Sequence, residues 1–302
     1  MHIARYRELD VVHLGVVDGA AVRPIDLSGL KLTEDVDGIG VAALAASGWR
    51  DGDDLALGPA RPLDSVQLLA PVPAPQKIIC IGVNYGLHAA ESSIAAPAFP
   101  EVFAKFANAI ADPFAPILLP ALDSAIDYEG ELAVVIGSDA RGLQRSEALD
   151  AVAGYTIAND VSARTVQLRV SQWVAGKTLD TFCPLGPWLA TSGSIPDPQA
   201  LRLRTVIGEE VLQDASTSEM IFGVADLLVY LSSLMTLRPG DLILTGTPAG
   251  VGHARTPRRY LAAGEVVGIT IDGIGTLSNP VATDPRGATG ASATHGPGSA
   301  DR

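Results

Sequence analysis

Cysteine, methionine and aromatic residues are all scarce here: two cysteines, three methionines and an aromatic fraction of 5% in a chain of 302 residues. The two thiols, Cys80 and Cys183, are too few for a disulfide framework and fit a reducing cytoplasm. Both lie in apolar surroundings, Ile78-Ile79-Cys80-Ile81 and Phe182-Cys183-Pro184, as buried structural thiols do. Positive charge is also in short supply, with 21 Lys and Arg against 34 Asp and Glu and a net charge of −13. No Lys/Arg cluster is present to neutralise phosphates, so neither nucleic acid nor an anionic membrane is an expected partner. Long apolar runs are missing too. Stretches such as 132–136 and 242–244 fall far short of the about 20 residues that a membrane-spanning helix needs. The first residues, Met1-His2-Ile3-Ala4-Arg5, carry no apolar signal pattern, and the chain is read as unsecreted and cytoplasmic.

What the sequence does have is an apolar fraction of 47% against 18% charged, enough for a substantial core. Residues 1–70 read as a small β-rich domain, in which runs at 11–17 and 20–25 flank Asp18-Gly19, a hairpin signal. A short helix is expected around 40–47. Pro71-Val72-Pro73-Ala74-Pro75 then forms a stiff boundary before a second domain at 71–281. Strands are predicted at 77–83, 117–119, 131–136, 152–159, 201–207, 241–245, 266–271 and 276–280. Helical spacing is rarer, at 99–109, 146–149, 164–174 and 220–234. Many short strands and few helices predict a mainly β fold of the α+β kind, a mixed sandwich or rolled barrel. Residues 282–302 have almost no large apolar side chain and are expected to be a disordered tail.

Candidate chemistry begins at Asp127-Tyr128-Glu129-Gly130-Glu131. Side chains alternate along a strand, so Glu129 and Glu131 project from one face about 7 Å apart, at the mouth of a buried apolar strand. Such a pair is costly unless a cation sits between its members. Asp160 ends another apolar strand and adds a third carboxylate, a set suited to Mg²⁺ or Mn²⁺; it is equally placed to cap a helix that follows. His88 and Glu91 stand three residues apart, so on a helix the carboxylate can orient the imidazole as a general base requires. Lys177 could stabilise a developing enolate or be a surface lysine. The glycine-rich 244–252 segment could cradle a carboxylate with help from the Thr247 hydroxyl, and it lacks the pattern of a phosphate loop.

Five motifs in one order, Lys77-Ile-Ile-Cys-Ile-Gly-Val-Asn-Tyr85 with His88 and Glu91, Asp127-Tyr-Glu-Gly-Glu131, Tyr155-Thr-Ile-Ala-Asn-Asp-Val-Ser-Ala-Arg164, Gln172-Trp with Gly176-Lys177, and Leu244-Thr-Gly-Thr-Pro-Ala-Gly-Val-Gly252, resemble the fumarylacetoacetate hydrolase family. The likeness runs from about Lys77 to Val281, and the N-terminal unit is similar to the small domain of bacterial members. It implies a homodimer, Mg²⁺ or Mn²⁺ held by Glu129, Glu131 and Asp160, and a His88–Glu91 dyad on a closing segment assisted by Lys177. Substrate contacts are implied at Tyr85, Lys105, Arg164, Gln167 and Thr247. One departure, Phe103-Ala104-Lys105-Phe106-Ala107 where Phe-x-Lys-Pro is commoner, bears on substrate identity. The implied activity is metal-dependent hydrolysis of a carbon–carbon bond in a 2,4-dioxo acid of the acylpyruvate or fumarylpyruvate type, through an enolate. Decarboxylation of oxaloacetate or isomerisation of a 2-hydroxyhepta-2,4-diene-1,7-dioate would use the same ligands.

Overall fold

The computed structural model describes residues 1–30, 40–93 and 95–287. A twelve-stranded mixed sheet runs through them. Its path begins in the N-terminal unit, with Arg61–Pro62, Ala21–Pro24, Val11–Asp18 and His2–Glu8 side by side. It continues without a break through Cys183–Thr191, Val152–Asn159, Gly130–Ile136, Leu242–Leu244, Ile78–Gly82 and Glu101–Lys105. The hairpin signal is realised: Asp18 pairs with Ala21, and Gly19 takes the positive φ of 56° that the turn needs. Pro71 is packed rather than free, its carbonyl accepting from the Val41 amide at 2.9 Å.

A second sheet of five strands, Glu210–Ser216, Arg202–Ile207, Val266–Ile271, Gly275–Thr283 and Ile117–Leu119, packs on one face of the first. The strand Gly130–Ile136 shows why both faces must be covered, because all seven of its residues are buried. Leu132, Val134 and Ile136 point into a core shared with Leu203, Ile269 and Leu231, the last from the helix Val224–Leu234. Ala133 and Val135 point the other way, towards Ile3, Leu14 and Leu189. Each fully buried Leu or Val contributes about 1.5–3 kcal/mol, so this strand is the spine of the fold. The mainly β expectation holds, and the arrangement is a sandwich with few helices.

Several expected elements change. Residues 99–109 are not helical: Glu101–Lys105 is an edge strand that pairs with Ile78–Gly82, and Ala107–Ala109 is a single 3₁₀ turn. Tertiary pairing overrides the helical spacing there. The helix expected over 164–174 splits into Arg164–Gln167 and Val174–Lys177. Gly176 lets the two short helices touch, since a Cβ on it would strike the Gln167 backbone. Residues 146–149 give way to a 3₁₀ turn at Ala148–Ala151. Strands His2–Glu8, Cys183–Thr191 and Glu210–Ser216 were not expected; Pro184 and Pro187 disguise the second. The strand Gly275–Thr283 extends two residues into the expected tail, pairing Ala282 with Leu118 and Thr283 with Leu119. Residues 284–287 form a described turn in which Arg286 donates to Asp180 at 2.6 Å, and 288–302 lie outside the described residues. No helix among the described residues is long and apolar enough to cross a membrane.

Candidate metal centre and active site

The strands Leu242–Leu244 and Ile78–Gly82 run parallel, and their carboxyl ends open onto one edge of the large sheet. Gly130–Ile136 begins at that edge and Val152–Asn159 ends there, with Gly130 opposite Asn159. The residues flanking this register are Glu129, Glu131 and Asp160. The Asp160 amide donates to the Glu129 carbonyl at 2.8 Å, and the Glu129 amide to the Asn159 Oδ1 at 3.0 Å. Ligand atoms from all three carboxylates lie within 4.8 Å of one another, and all three side chains are buried. Asp160 does not cap a helix: Ala163 occupies the cap of Arg164–Gln167 with no side-chain bond.

Three buried cations surround these carboxylates. Lys177 Nζ donates to Glu129 Oε2 at 2.6 Å and to Asp160 Oδ2 at 2.8 Å. Lys105 Nζ donates to Asp160 Oδ1 at 2.6 Å and to the Val161 carbonyl at 3.0 Å. Arg164 bridges Asp127 Oδ2 and Glu129 Oε1. Burial pushes the Glu129 carboxyl up, but Lys177 and Arg164 outweigh it and hold the group at about 2. Glu131 fares differently. Burial first, then the negative charges of Asp160 and Glu129, push it well above the usual carboxylate range. Its side chain accepts one bond, from the Gly246 amide at 2.7 Å. The buried cluster therefore holds four acids, Asp127 included, against three bases. A hard divalent cation would offset that deficit, and three clustered carboxylates are the donor set that Mg²⁺ or Mn²⁺ takes. The residues fit such an ion.

His88 and Glu91 lie on the short helix Gly86–Glu91, with His88 Nδ1 2.7 Å from Glu91 Oε1. The other oxygen, Glu91 Oε2, accepts from the Gly250 amide at 2.9 Å, which ties the dyad to the glycine loop. That loop does cradle carboxylates, but they are the protein's own. Gly246 serves Glu131, Gly250 serves Glu91, and the Gly252 and His253 amides serve Asp127 at 2.8 and 2.9 Å. Thr247 donates its hydroxyl to the Gly130 carbonyl and accepts from Gln213, so its proton is already engaged.

A cavity of about 440 Å³ opens over these groups. His88, Glu91, Glu129, Glu131 and Lys177 line it, as do Arg164, Gln167 and Thr247. Asp160 adjoins through Lys177. Two expected substrate contacts are not on the lining. Lys105 is buried behind Asp160, spent on an ion pair, and Tyr85 is packed in the core, its hydroxyl without a hydrogen-bond partner among the described residues. The sequence reading also passed over Asp127, His253, Arg255 and Arg258. Asp127 receives Arg164 and two loop amides and organises the rear wall, and its place in the Asp-Tyr-Glu-Gly-Glu run was the available signal. His253 lacks an acidic neighbour in sequence, but its Nδ1 lies 2.9 Å from Tyr260 Oη. Burial, then the positive charges of Arg164 and Arg258, hold its pKa below the ordinary value, so the imidazole lines the cavity as a neutral group at neutral pH.

Comparison with known proteins places this geometry. Residues 77–282 match the family described as fumarylacetoacetate (FAA) hydrolase C-terminal, and residues 1–71 match that described as Rv2993c-like, N-terminal. Protein Rv2993c of Mycobacterium tuberculosis is 42% identical over 281 residues, which is 93% of this chain and 98% of that protein. A mitochondrial oxaloacetate tautomerase of Xenopus laevis is 46% identical over 219 residues, 72% of this chain and 69% of that protein. Among solved structures, a 2-hydroxyhepta-2,4-diene-1,7-dioate isomerase from Mycobacterium marinum is 39% identical with a TM-score of 0.76, covering 94% of this chain and 99% of that one. A fumarylacetoacetate hydrolase from Exiguobacterium antarcticum is 37% identical with a TM-score of 0.81, covering 94% and 100%. With matched patterns across both its units and the acidic cluster in place, the chain belongs to the fumarylacetoacetate hydrolase family.

Proposed function

We propose that this protein is a divalent-metal-dependent enzyme that moves protons on small 2-oxo acids, with keto–enol tautomerisation of oxaloacetate as its leading reaction. One observation carries the reading: the His88–Glu91 pair lines the same cavity as Glu129 and Glu131, two members of the acidic triad, beside the buried cations Lys177 and Arg164. The relatives named as an oxaloacetate tautomerase and a dienedioate isomerase support proton transfer over bond cleavage.

Glu129, Glu131 and Asp160 would hold Mg²⁺ or Mn²⁺, which when bound supplies Lewis-acid polarisation of the substrate's carboxylate and 2-oxo oxygens. His88 takes the proton from the carbon next to the oxo group and delivers it to the enolate oxygen, and the reverse transfer restores the keto form. Glu91, fixed by the Gly250 amide, holds the ring in one orientation. Lys177 commits two N–H groups to carboxylates, and its remaining N–H and positive charge would stabilise the negative charge developing on the enol oxygen. Arg164 adds a second positive charge on the same wall.

The hydrolytic alternative keeps these roles up to the last step. His88 would instead activate water against the distal carbonyl of an acylpyruvate, and cleavage would leave the enolate of pyruvate. The fumarylacetoacetate hydrolase neighbour supports it.

The test follows oxaloacetate keto–enol interconversion, carbon dioxide release and pyruvate release from acylpyruvates, each with Mn²⁺ and with EDTA. Metal-dependent interconversion without carbon dioxide or acylpyruvate cleavage is expected. Cleavage of acylpyruvates with no effect on interconversion would replace the tautomerase reading by the hydrolase.

A further inference from the structure

Four positively charged side chains line the cavity, and three of them are already matched by protein carboxylates. Arg164 pairs with Asp127 and Glu129, and Lys177 with Glu129 and Asp160. Arg255 reaches Glu210 at 3.3 Å and donates to the carbonyls of Leu212 and Gly250. Arg258 differs. Among the described residues it has no carboxylate partner, and its one hydrogen bond is a long one, 3.5 Å from Nη1 to Tyr260 Oη. It follows the turn Gly252–Ala254, lines the cavity and is exposed.

The acidic groups of the cavity offer it nothing. Glu91 is occupied by His88 and the Gly250 amide, Glu129 by Lys177 and Arg164, and Glu131 by Gly246 within the triad. A guanidinium left unpaired beside a cavity presents a planar fork of donors that matches a carboxylate of the ligand. The neutral His253 beside it and the Tyr260 hydroxyl, within reach of both, can add hydrogen bonds without competing charge.

We infer that Arg258 receives a second, distal carboxylate of the substrate, so that the site prefers 2-oxo dicarboxylic acids over monocarboxylic ones of equal length. This rests on the 2-oxo acid reading above and narrows it. Arg258 is a specificity contact and takes no part in the proton transfer at His88.

The experiment is titration calorimetry on the full chain loaded with Mn²⁺, after Mn²⁺ binding itself has been measured. Two matched pairs are used: 2-oxoglutarate with 2-oxopentanoate, and 2-oxoadipate with 2-oxohexanoate. The wild type is expected to bind at least one diacid about tenfold more tightly than its monoacid partner, the size of one charge-assisted hydrogen-bonded contact at a partly exposed site. Arg258→Gln should erase that preference while leaving the monoacid affinities unchanged, and Arg258→Lys should restore part of it. Equal affinities within both pairs in the wild type, or a preference that survives Arg258→Gln, would overturn this inference alone. A Mn²⁺-loaded protein that binds none of the four would overturn the 2-oxo acid reading together with it.

Discussion

Lys105 Nζ lies 2.6 Å from Asp160 Oδ1, and neither side chain reaches solvent. The ion pair holds a candidate metal ligand from behind, and Lys105 is not on the cavity lining. Removing one partner of a buried ion pair costs about 3–5 kcal/mol, because the remaining charge keeps its desolvation penalty. Lys177 still pairs with Asp160, so Lys105→Met should lose about 3 kcal/mol, the lower end of that range. Urea denaturation with Mn²⁺ absent measures it; an unchanged midpoint would return Lys105 to a substrate role.

Glu131 gives an opposite signature. Its charge is disfavoured by burial and by two neighbouring carboxylates, so Glu131→Gln should leave the metal-free fold as stable or more so. The same substitution should abolish Mn²⁺ binding, read by calorimetry of the metal alone. Stability retained with affinity lost identifies a ligand; affinity retained would remove Glu131 from the metal site.

His88→Ala should lower turnover by about 10²–10⁴, the usual worth of a general base, with Mn²⁺ affinity intact. Glu91→Gln keeps an acceptor for the Gly250 amide but drops the carboxylate charge beside the ring, and a smaller loss is expected. Steady-state kinetics on the metal-loaded variants decides it. Equal activity in His88→Ala would remove the dyad from the mechanism.

His253 carries a pH signature in stability. Burial and the charges of Arg164 and Arg258 hold its folded pKa below 6.5. As pH falls below 6.5, the unfolded chain takes up a proton that the folded protein resists, so stability declines until the folded value is passed. His253→Gln should shrink the drop in urea midpoint between about pH 7.5 and about pH 5.5. An identical drop in both proteins would place the titrating group elsewhere.

The readable part of the site was the part built by alternation along strands. Glu129 and Glu131 share a face because one residue separates them, and Asp160 joins them because its strand is the antiparallel neighbour. His88 and Glu91 meet because helical spacing brings i and i+3 together. What stayed hidden depends on contacts far apart in sequence. Lys105 sits in a segment spaced like a helix, and pairing with Ile78–Gly82 turns it into an edge strand that delivers its amine to Asp160. The glycine loop looked open to a ligand, yet its amides bind Glu91, Glu131 and Asp127, more than a hundred residues earlier in the chain. Arg258 gave no signal, since an unpaired guanidinium is recognisable only after its neighbours have found partners.

The seam where His2–Glu8 lies against Cys183–Thr191 has a consequence for quality control in the cell. Ile3 and Leu189 face each other there, and the N-terminal strand covers backbone that would otherwise stand free. A chain clipped near residue 71 that lost the small unit would uncover the edge of Leu189, Ala190 and Thr191, three buried residues whose backbone now faces His2–Glu8 and Met1. Loss of the small unit would therefore leave a short, buried stretch of strand edge open to pairing with another copy.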